Sequence, residues 1–481
     1  MATSHLPAGT RFSSDVPPRL DRLSWSPWHT KLVIALGITW MLDGLEVTLV
    51  GSVAAVLAER DTLGLSASEI GAAGTLYLAG AILGALVFGR LTDRFGRRRL
   101  FLVTLGLYVG ATLLTAVSWS FASFAVFRAL TGAGIGGEYS AVNSAIDELI
   151  PARLRGRIDL AVNGTFWLGA ALGACMALWL LGARWMPHPL AWRSVFLLGA
   201  VLGTAVLFLR RHVPESPRWL LLHGRVDEAD QVMSTIEKDV GKSLHRAAAP
   251  QAAPSPVELE ATGSIKFLAI ARVLLRKHAR RTCLGLALMV AQAFAYNGVF
   301  FTYALVLGRL YGVPSARVAA YLLPFSIANL LGPWLLGGLF DVIGRRVMIA
   351  ATYTISGLFI AVTGFAMFRG WLDATSQTLL WCGVFFVASA AASSAYLTVS
   401  ELFPVEMRGM AIALFYAAGT ALGGMGAPIL FGVLLDRGDQ TGLLEVYLLG
   451  AALMVLAGVL AAVLGVSAER RSLEELVDLE A

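Results

Sequence analysis

Two short blocks of this chain occur twice, in the same order. Residues 89–99 read GRLTDRFGRRR and residues 337–346 read GGLFDVIGRR. Placing Asp93 on Asp341 also places Gly89 on Gly337, Leu91 on Leu339, Gly96 on Gly344, and Arg97 and Arg98 on Arg345 and Arg346. The second block, ELIPARLRG at 148–156, returns as ELFPVEMRG at 401–409, so Glu148 matches Glu401 and Arg155 matches Arg408. A chain with this pattern is two copies of one structural unit.

Each block joins long apolar runs. Apolar residues make up 57% of the chain and charged residues 15%, against about 25% charged in soluble domains, and mean hydropathy is +0.70. Runs of about 20 apolar residues cross a hydrocarbon core of ~30 Å, and twelve are expected. They fall near 32–57, 70–88, 100–117, 122–146, 158–181 and 195–209, then 283–310, 318–336, 347–368, 379–399, 410–434 and 443–466. The fold class is therefore an all-α membrane protein of two pseudo-symmetric six-helix bundles. Residues 1–31 are polar, without the apolar core of a signal peptide, and read as a tail in which Trp25 and Trp28 anchor at the headgroup layer. The bundles are expected at 32–209 and 283–466, joined by a polar segment at 210–282 that contains an Ala/Pro linker, RAAAPQAAPSP, with a second tail at 467–481.

Arginines concentrate in alternate loops: Arg90, Arg94 and 97–99, then Arg153, Arg155 and Arg157, then Arg345 and Arg346. The loops between them are poor in Lys and Arg, which predicts that the motif loops and both termini are cytosolic in a plasma membrane. This topology signal accounts for the net charge of +6 without nucleic acid. Cys175, Cys283 and Cys382 have no metal-ligand spacing and read as structural filler. No cofactor or metal is implied. No nucleophile, base and orienting group converge, so an enzyme is not expected.

These residues resemble the major facilitator superfamily, and within it the sugar porters and their organic-ion relatives. PESPRWL at 214–220 and RSLEEL at 471–476 sharpen the likeness, which covers nearly the whole chain. It implies a secondary carrier working by alternating access, with a small-molecule substrate, protons and the lipid bilayer as partners.

Ionisable groups inside the membrane cost about 2.5–3.5 kcal/mol each at a helix centre and mark functional positions. Four stand out: Asp43, Glu46, Arg128 and Glu138. Asp43 and Glu46 lie one turn apart on one helix face, so something must neutralise them: a proton, a cationic substrate, or Arg128. The resemblance puts Glu46 where proton-coupled sugar porters place an Asp, with Arg128 as its partner, and so implies proton coupling; a purely structural Glu46–Arg128 pair is the alternative. The seven histidines fall in tails and loops, which leaves carboxylates as the proton carriers. Gly132, Gly134, Gly136 and Gly137 beside Glu138 read as helix packing.

Mid-helix amides suit a hydroxyl-rich solute because they donate and accept hydrogen bonds. Gln292, Asn297 and Asn329 match sugar-porter positions, and Asn163 stands where a Gln is usual. Ala291 and Tyr396 depart from that pattern, and YLTVSELFP around Tyr396 is closer to organic-ion and nicotinate-type carriers. A sugar and an organic acid both remain open, as do export and exchange, and a transporter-like sensor is the reading from another class.

In the motif loops, Asp93 is expected to cap a facing helix, where the dipole favours negative charge. Arg97, Arg98, Arg345 and Arg346 are expected to pair with Glu148, Glu215 and Glu401, with Arg155, Arg218, Asp341 and Arg408 extending the network. The resemblance implies that these bridges lock the bundles on the cytosolic side.

Overall fold

A computed structural model describes residues 9–57, 59–181, 186–210, 214–243, 256–260, 267–313, 315–401, 403 and 408–465. The RSLEEL tail, most of the Ala/Pro linker and the side chains of Asp93, Arg97 and Arg408 lie outside what it describes. The first half contributes α2 (Pro27–Leu57), α3 (Ala67–Phe95), α4 (Arg97–Ala116), α5 (Phe121–Leu149), α6 (Arg155–Leu181) and α7 (His188–Arg210). The second contributes α11 (Ala279–Tyr311), α12 (Ser315–Val342), α13 (Arg345–Phe368), α14 (Ala374–Glu401), α15 (Arg408–Gly419), α16 (Gly426–Arg437) and α17 (Gln440–Leu464). Between the halves lie α8 (Pro217–Leu222), α9 (Val226–Ser243) and α10 (Phe267–Arg276).

Ten helices among the described residues are long and apolar enough to cross a membrane. The remaining two spans of the twelve are less apolar or are interrupted. The 29-residue α5 reaches about 43 Å at 1.5 Å per residue, but its glycines and charges reduce its hydropathy. α15 and α16 form one span interrupted by a π-helical turn at Thr420–Gly424, a local widening that often marks functional positions.

Packing follows the sequence repeat. α3 packs on α5, α2 on α6 and α4 on α7, and in the second half α12 packs on α14, α11 on α15 and α16, and α13 on α17. The halves meet through α6 against α12 and, in the equivalent place, α15 against α3. The repeated glycines have a backbone reason: Gly96 and Gly344 turn the chain between helices at φ +92° and +113°, a region L side chains avoid.

The glycines of α5 pack as expected. A Cβ on Gly132 would lie 2.1 Å from the Tyr77 carbonyl oxygen, and one on Gly136 would lie 2.0 Å from that of Ala81. Gly80 approaches the Ala129 carbonyl oxygen equally closely from the α3 side. Gly136→Ala must push two backbones apart, and overpacking of this kind costs about 1–3 kcal/mol. It is expected to lower the unfolding midpoint of the detergent-purified protein. Gly106→Ala, with nothing within 4 Å of the added carbon, is expected to leave that midpoint unchanged.

The polar segment ahead of the first span is more ordered than a tail. β1 (Arg11–Ser14) pairs antiparallel with β2 (Val257–Glu260), Arg11 opposite Glu260. α1 (Val16–Arg22) then lays Val16 and Leu20 on Trp219, Leu221, Met233 and Ile236 of α8 and α9. Arg19 bonds Glu237 and Asp230, each at 2.6 Å, and the Glu237 hydrogen bond holds its guanidinium further into the charged range. Trp25 stacks on His29 at 5.2 Å, and Trp28 packs against both the bundle core and the α8–α9 core.

Candidate functional site

Near the middle of α2, Asp43 and Glu46 are both buried, and the structure sends them to different neighbours. Glu46, with no exposed surface, takes an ion pair from Arg128 of α5 to its Oε1. Its Oε2 is buried with no hydrogen-bond partner. The Arg128 guanidinium also lies over the Tyr77 ring at 4.7 Å and near that of Phe196 at 6.0 Å, so aromatic faces supply part of its counter-charge. Asp43 is within electrostatic reach of Tyr77, Tyr139, Tyr396 and Tyr416. Glu138 is buried in the same half, within reach of Tyr108.

Aromatic rings line the seam between the halves. Trp40 of α2 meets Tyr139 at 4.7 Å and Tyr396 at 5.6 Å, and Tyr139 meets Tyr416 at 4.4 Å. Nearby, Trp167 of α6 meets Tyr296 at 5.5 Å and Phe325 at 5.9 Å. Tyr396 is a residue the sequence singles out; Trp40, Tyr139, Trp167, Tyr296 and Tyr416 are not. Their signal was present as aromatics at mid-helix positions of several spans, but which ones meet at the seam follows only from how the helices dock.

The amides sit near these rings, and each has a bond within the protein. Asn163, Asn297 and Asn329 donate to the carbonyls of Asp159, Ala293 and Phe325, one turn back, at 2.8–2.9 Å. Asn329 Oδ1 accepts from the Tyr296 hydroxyl at 2.9 Å. Gln292 lies beside Tyr396 and donates to Met289 Sδ at 3.9 Å. Asn297 also faces the π turn, where a Cβ on Gly424 would lie 3.0 Å from Asn297 Nδ2.

At the arginine-rich end, buried charges join the two halves. Arg345 grips Glu401 with two hydrogen bonds, Nε at 3.0 Å and Nη2 at 2.9 Å, and its Nη1 reaches Asp341 at 2.8 Å. Asp341 Oδ2 accepts from the Arg157 backbone N–H at 2.9 Å, so this carboxylate caps the first turn of α6, favourable at a helix N-terminus. Asp93 is its repeat partner, and its side chain lies outside the described residues. A Cβ on Gly156 would fall 1.7 Å from Arg345 Nη1, which explains the glycine after Arg155. Arg155 Nη1 stands 4.0 Å from Glu401 Oε1. Trp334 Nε1 adds a bond from α12 to the Ala161 carbonyl of α6, at 3.1 Å.

In the first-half motif the described contacts come from Glu215 and Arg218. Glu215 Oε2 accepts from the Arg98 backbone N–H at 3.3 Å and so sits on the N-terminus of α4. Arg218 Nη1 donates to the Glu148 carbonyl oxygen at 3.2 Å. Arg346 departs from its expected acidic partner and donates to the Ala462 carbonyl. Adjacent helical residues point about 100° apart, so only Arg345 of the pair can face Glu401. Asp21, which no motif in the sequence marks, pairs with both Arg218 and Arg155.

The chain matches the family model described as sugar (and other) transporter over residues 33–478. A niacin transporter of Acinetobacter baylyi is 26% identical over 96% of this chain and 99% of its own length. A 4-hydroxybenzoate transporter of the same species is 25% identical over 94% of each chain, and the plastidic glucose transporter 4 of Arabidopsis thaliana is 29% identical over 83% of this chain and 70% of its own. A solved structure of the proton:xylose symporter XylE superposes with a TM-score of 0.75 at 20% identity, covering 94% of this chain and 99% of the other.

Proposed function

Because the chain belongs to the sugar (and other) transporter family of the major facilitator superfamily, we propose that it carries a small aromatic acid across the membrane together with a proton. The observation behind the aromatic solute is the two groups of rings at the seam, Trp40, Tyr139, Tyr396 and Tyr416 in one and Trp167 with Tyr296 in the other. Flat aromatic faces favour a planar ring, and Asn163, Asn297 and Asn329 each spend an amide hydrogen on their own helix. The names of the niacin and 4-hydroxybenzoate relatives fit the same chemistry.

Coupling would run through Glu46 and Arg128. A proton on Glu46, whose Oε2 has no hydrogen-bond partner, would cancel the charge that holds Arg128 and free the guanidinium for the solute's carboxylate. Proton and acid would then travel as a neutral pair past Asp43 and Glu138, and the bonded network of Arg345, Glu401, Asp341 and Arg155 would close the arginine-rich end while the other face is open. That end, both termini and the 210–282 segment would lie in the cytosol of a plasma-membrane carrier, with bundles at 32–209 and 283–466.

The test is thermal stabilisation of the purified protein by benzene- and pyridine-carboxylates set against hexoses. A ligand at a hundred times its Kd stabilises the native state by about 2.7 kcal/mol, and the aromatic acids are expected to give the shift. A shift with hexoses alone would return the site to Gln292, Asn297 and Asn329. Uptake of the stabilising solute into proteoliposomes separates a carrier from a sensor, which would bind without flux.

A further inference from the structure

Pro333 lies inside α12, on the part of that helix that meets the first half. Proline has no N–H, so the carbonyl one turn back, that of Asn329, receives no hydrogen bond from position 333. Ser389 of α14 supplies one: its hydroxyl donates to the Asn329 carbonyl oxygen. The two helices touch here, since a Cβ on Gly332 would lie 1.9 Å from the Phe386 carbonyl oxygen. Asn329 and Ser389 are both buried, where an unmade bond is costly.

The side chain of Asn329 ties this joint to the rings at the seam. Its Oδ1 accepts from the Tyr296 hydroxyl at 2.9 Å, and its Nδ2 donates to the Phe325 carbonyl at 2.9 Å. The same tyrosine hydroxyl lies beside the Ser389 side chain. The Tyr296 ring then meets Trp167 of α6 at 5.5 Å and Phe385 of α14 at 5.0 Å. Pro333 faces α6 as well: a Cβ on Gly164, three residues before Trp167, would lie 3.1 Å from Pro333 Cβ. The proline turn thus stands between the first half and Tyr296, and Ser389 holds it from the α14 side.

We propose that Ser389 is a positioning residue for the solute. Through the Asn329 carbonyl it fixes the turn of α12 that holds the Tyr296 hydroxyl, and so sets the Tyr296 ring against Trp167, where an aromatic acid would stack. This role rests on the aromatic-acid reading of the seam. It places Ser389 behind the rings and out of contact with the solute, so its loss is felt only through Tyr296.

The probe is whichever of benzoate and pyridine-3-carboxylate binds the parent more tightly, and the first readout is its equilibrium binding to the full chain in detergent. Ser389→Ala and Tyr296→Phe should each weaken binding by about fivefold, within what one aromatic pair supplies. The double variant should be no weaker than either single one, because both changes break the same path. Independent effects would multiply to about twenty-fivefold. In proteoliposomes the KM of uptake by Ser389→Ala should rise in the same ratio while the rate at saturation holds, the pattern of lost binding. A serine with a purely structural role would lower the unfolding midpoint and leave KM unmoved. Parental binding by Ser389→Ala, or a double variant in which the losses multiply, overturns the role of Ser389 alone. Where Ser389→Ala does not fold, Tyr296→Phe decides: weakened binding supports the path, and parental binding overturns it. A parent that binds neither acid rejects the aromatic-acid reading, and the role of Ser389 falls with it.

Discussion

Glu46→Gln in proteoliposomes is expected to abolish uphill uptake driven by an inward proton gradient while leaving exchange of internal for external solute. One proton per solute and a gradient of two pH units can sustain an accumulation ratio of about a hundred, since each unit is worth about 1.4 kcal/mol. The variant should only equilibrate. The side chain keeps its volume and can still accept from Arg128 at the position of Oε1, so folding is not the reason. What changes is that Arg128 faces no carboxylate at any pH and no proton need bind before the solute. Solute binding should then be independent of pH. Undiminished accumulation by Glu46→Gln would leave the Glu46–Arg128 contact as a structural ion pair.

The repeat made most of the architecture readable. Two copies of GxLxDxxGRR and of ELxPxxxRG, set between apolar runs, imply two bundles, and the helix pairings recur between the halves in the same way. That Asp43 and Glu46 need neutralising was also legible, because charges in mid-membrane are costly; that Glu46 is the one to meet Arg128 was implied by the resemblance to sugar porters. What escaped the reading depends on docking. Val16 and Leu20 on α1, and Ala229, Met233, Ile236 and Val240 on α9, carry helical spacing, and Pro17 and Pro18 are a helix-start signal. The small core they form was hidden because the surrounding residues are polar. The aromatic rings at the seam come from seven helices, so no local spacing announces their meeting. Arg346 shows the limit of motif logic: the repeat preserves its identity, but helix geometry turns it to a carbonyl of α17.

Arg345→Met is expected to be the most damaging single change at the arginine-rich end. Arg345 holds Glu401 through two bonds and Asp341 through a third, and both carboxylates are buried. Removing one partner of a buried ion pair strands the other charge and costs about 3–5 kcal/mol, whereas replacing both with apolar residues can be neutral. Arg345→Met should therefore lower the unfolding midpoint sharply and slow uptake, because Arg345 holds in place Asp341 and Glu401, the two second-half carboxylates that meet Arg157 and Arg155 of α6. Adding Glu401→Met should recover much of the midpoint, since one stranded carboxylate is gone. It should not recover uptake, because the α6 face that meets Arg345 at Gly156 and Glu401 at Arg155 would then keep only Asp341 to close upon. Equal midpoints for the single and double variants would mean that Glu401 finds another partner, and normal uptake by the double variant would remove this cluster from the transport cycle.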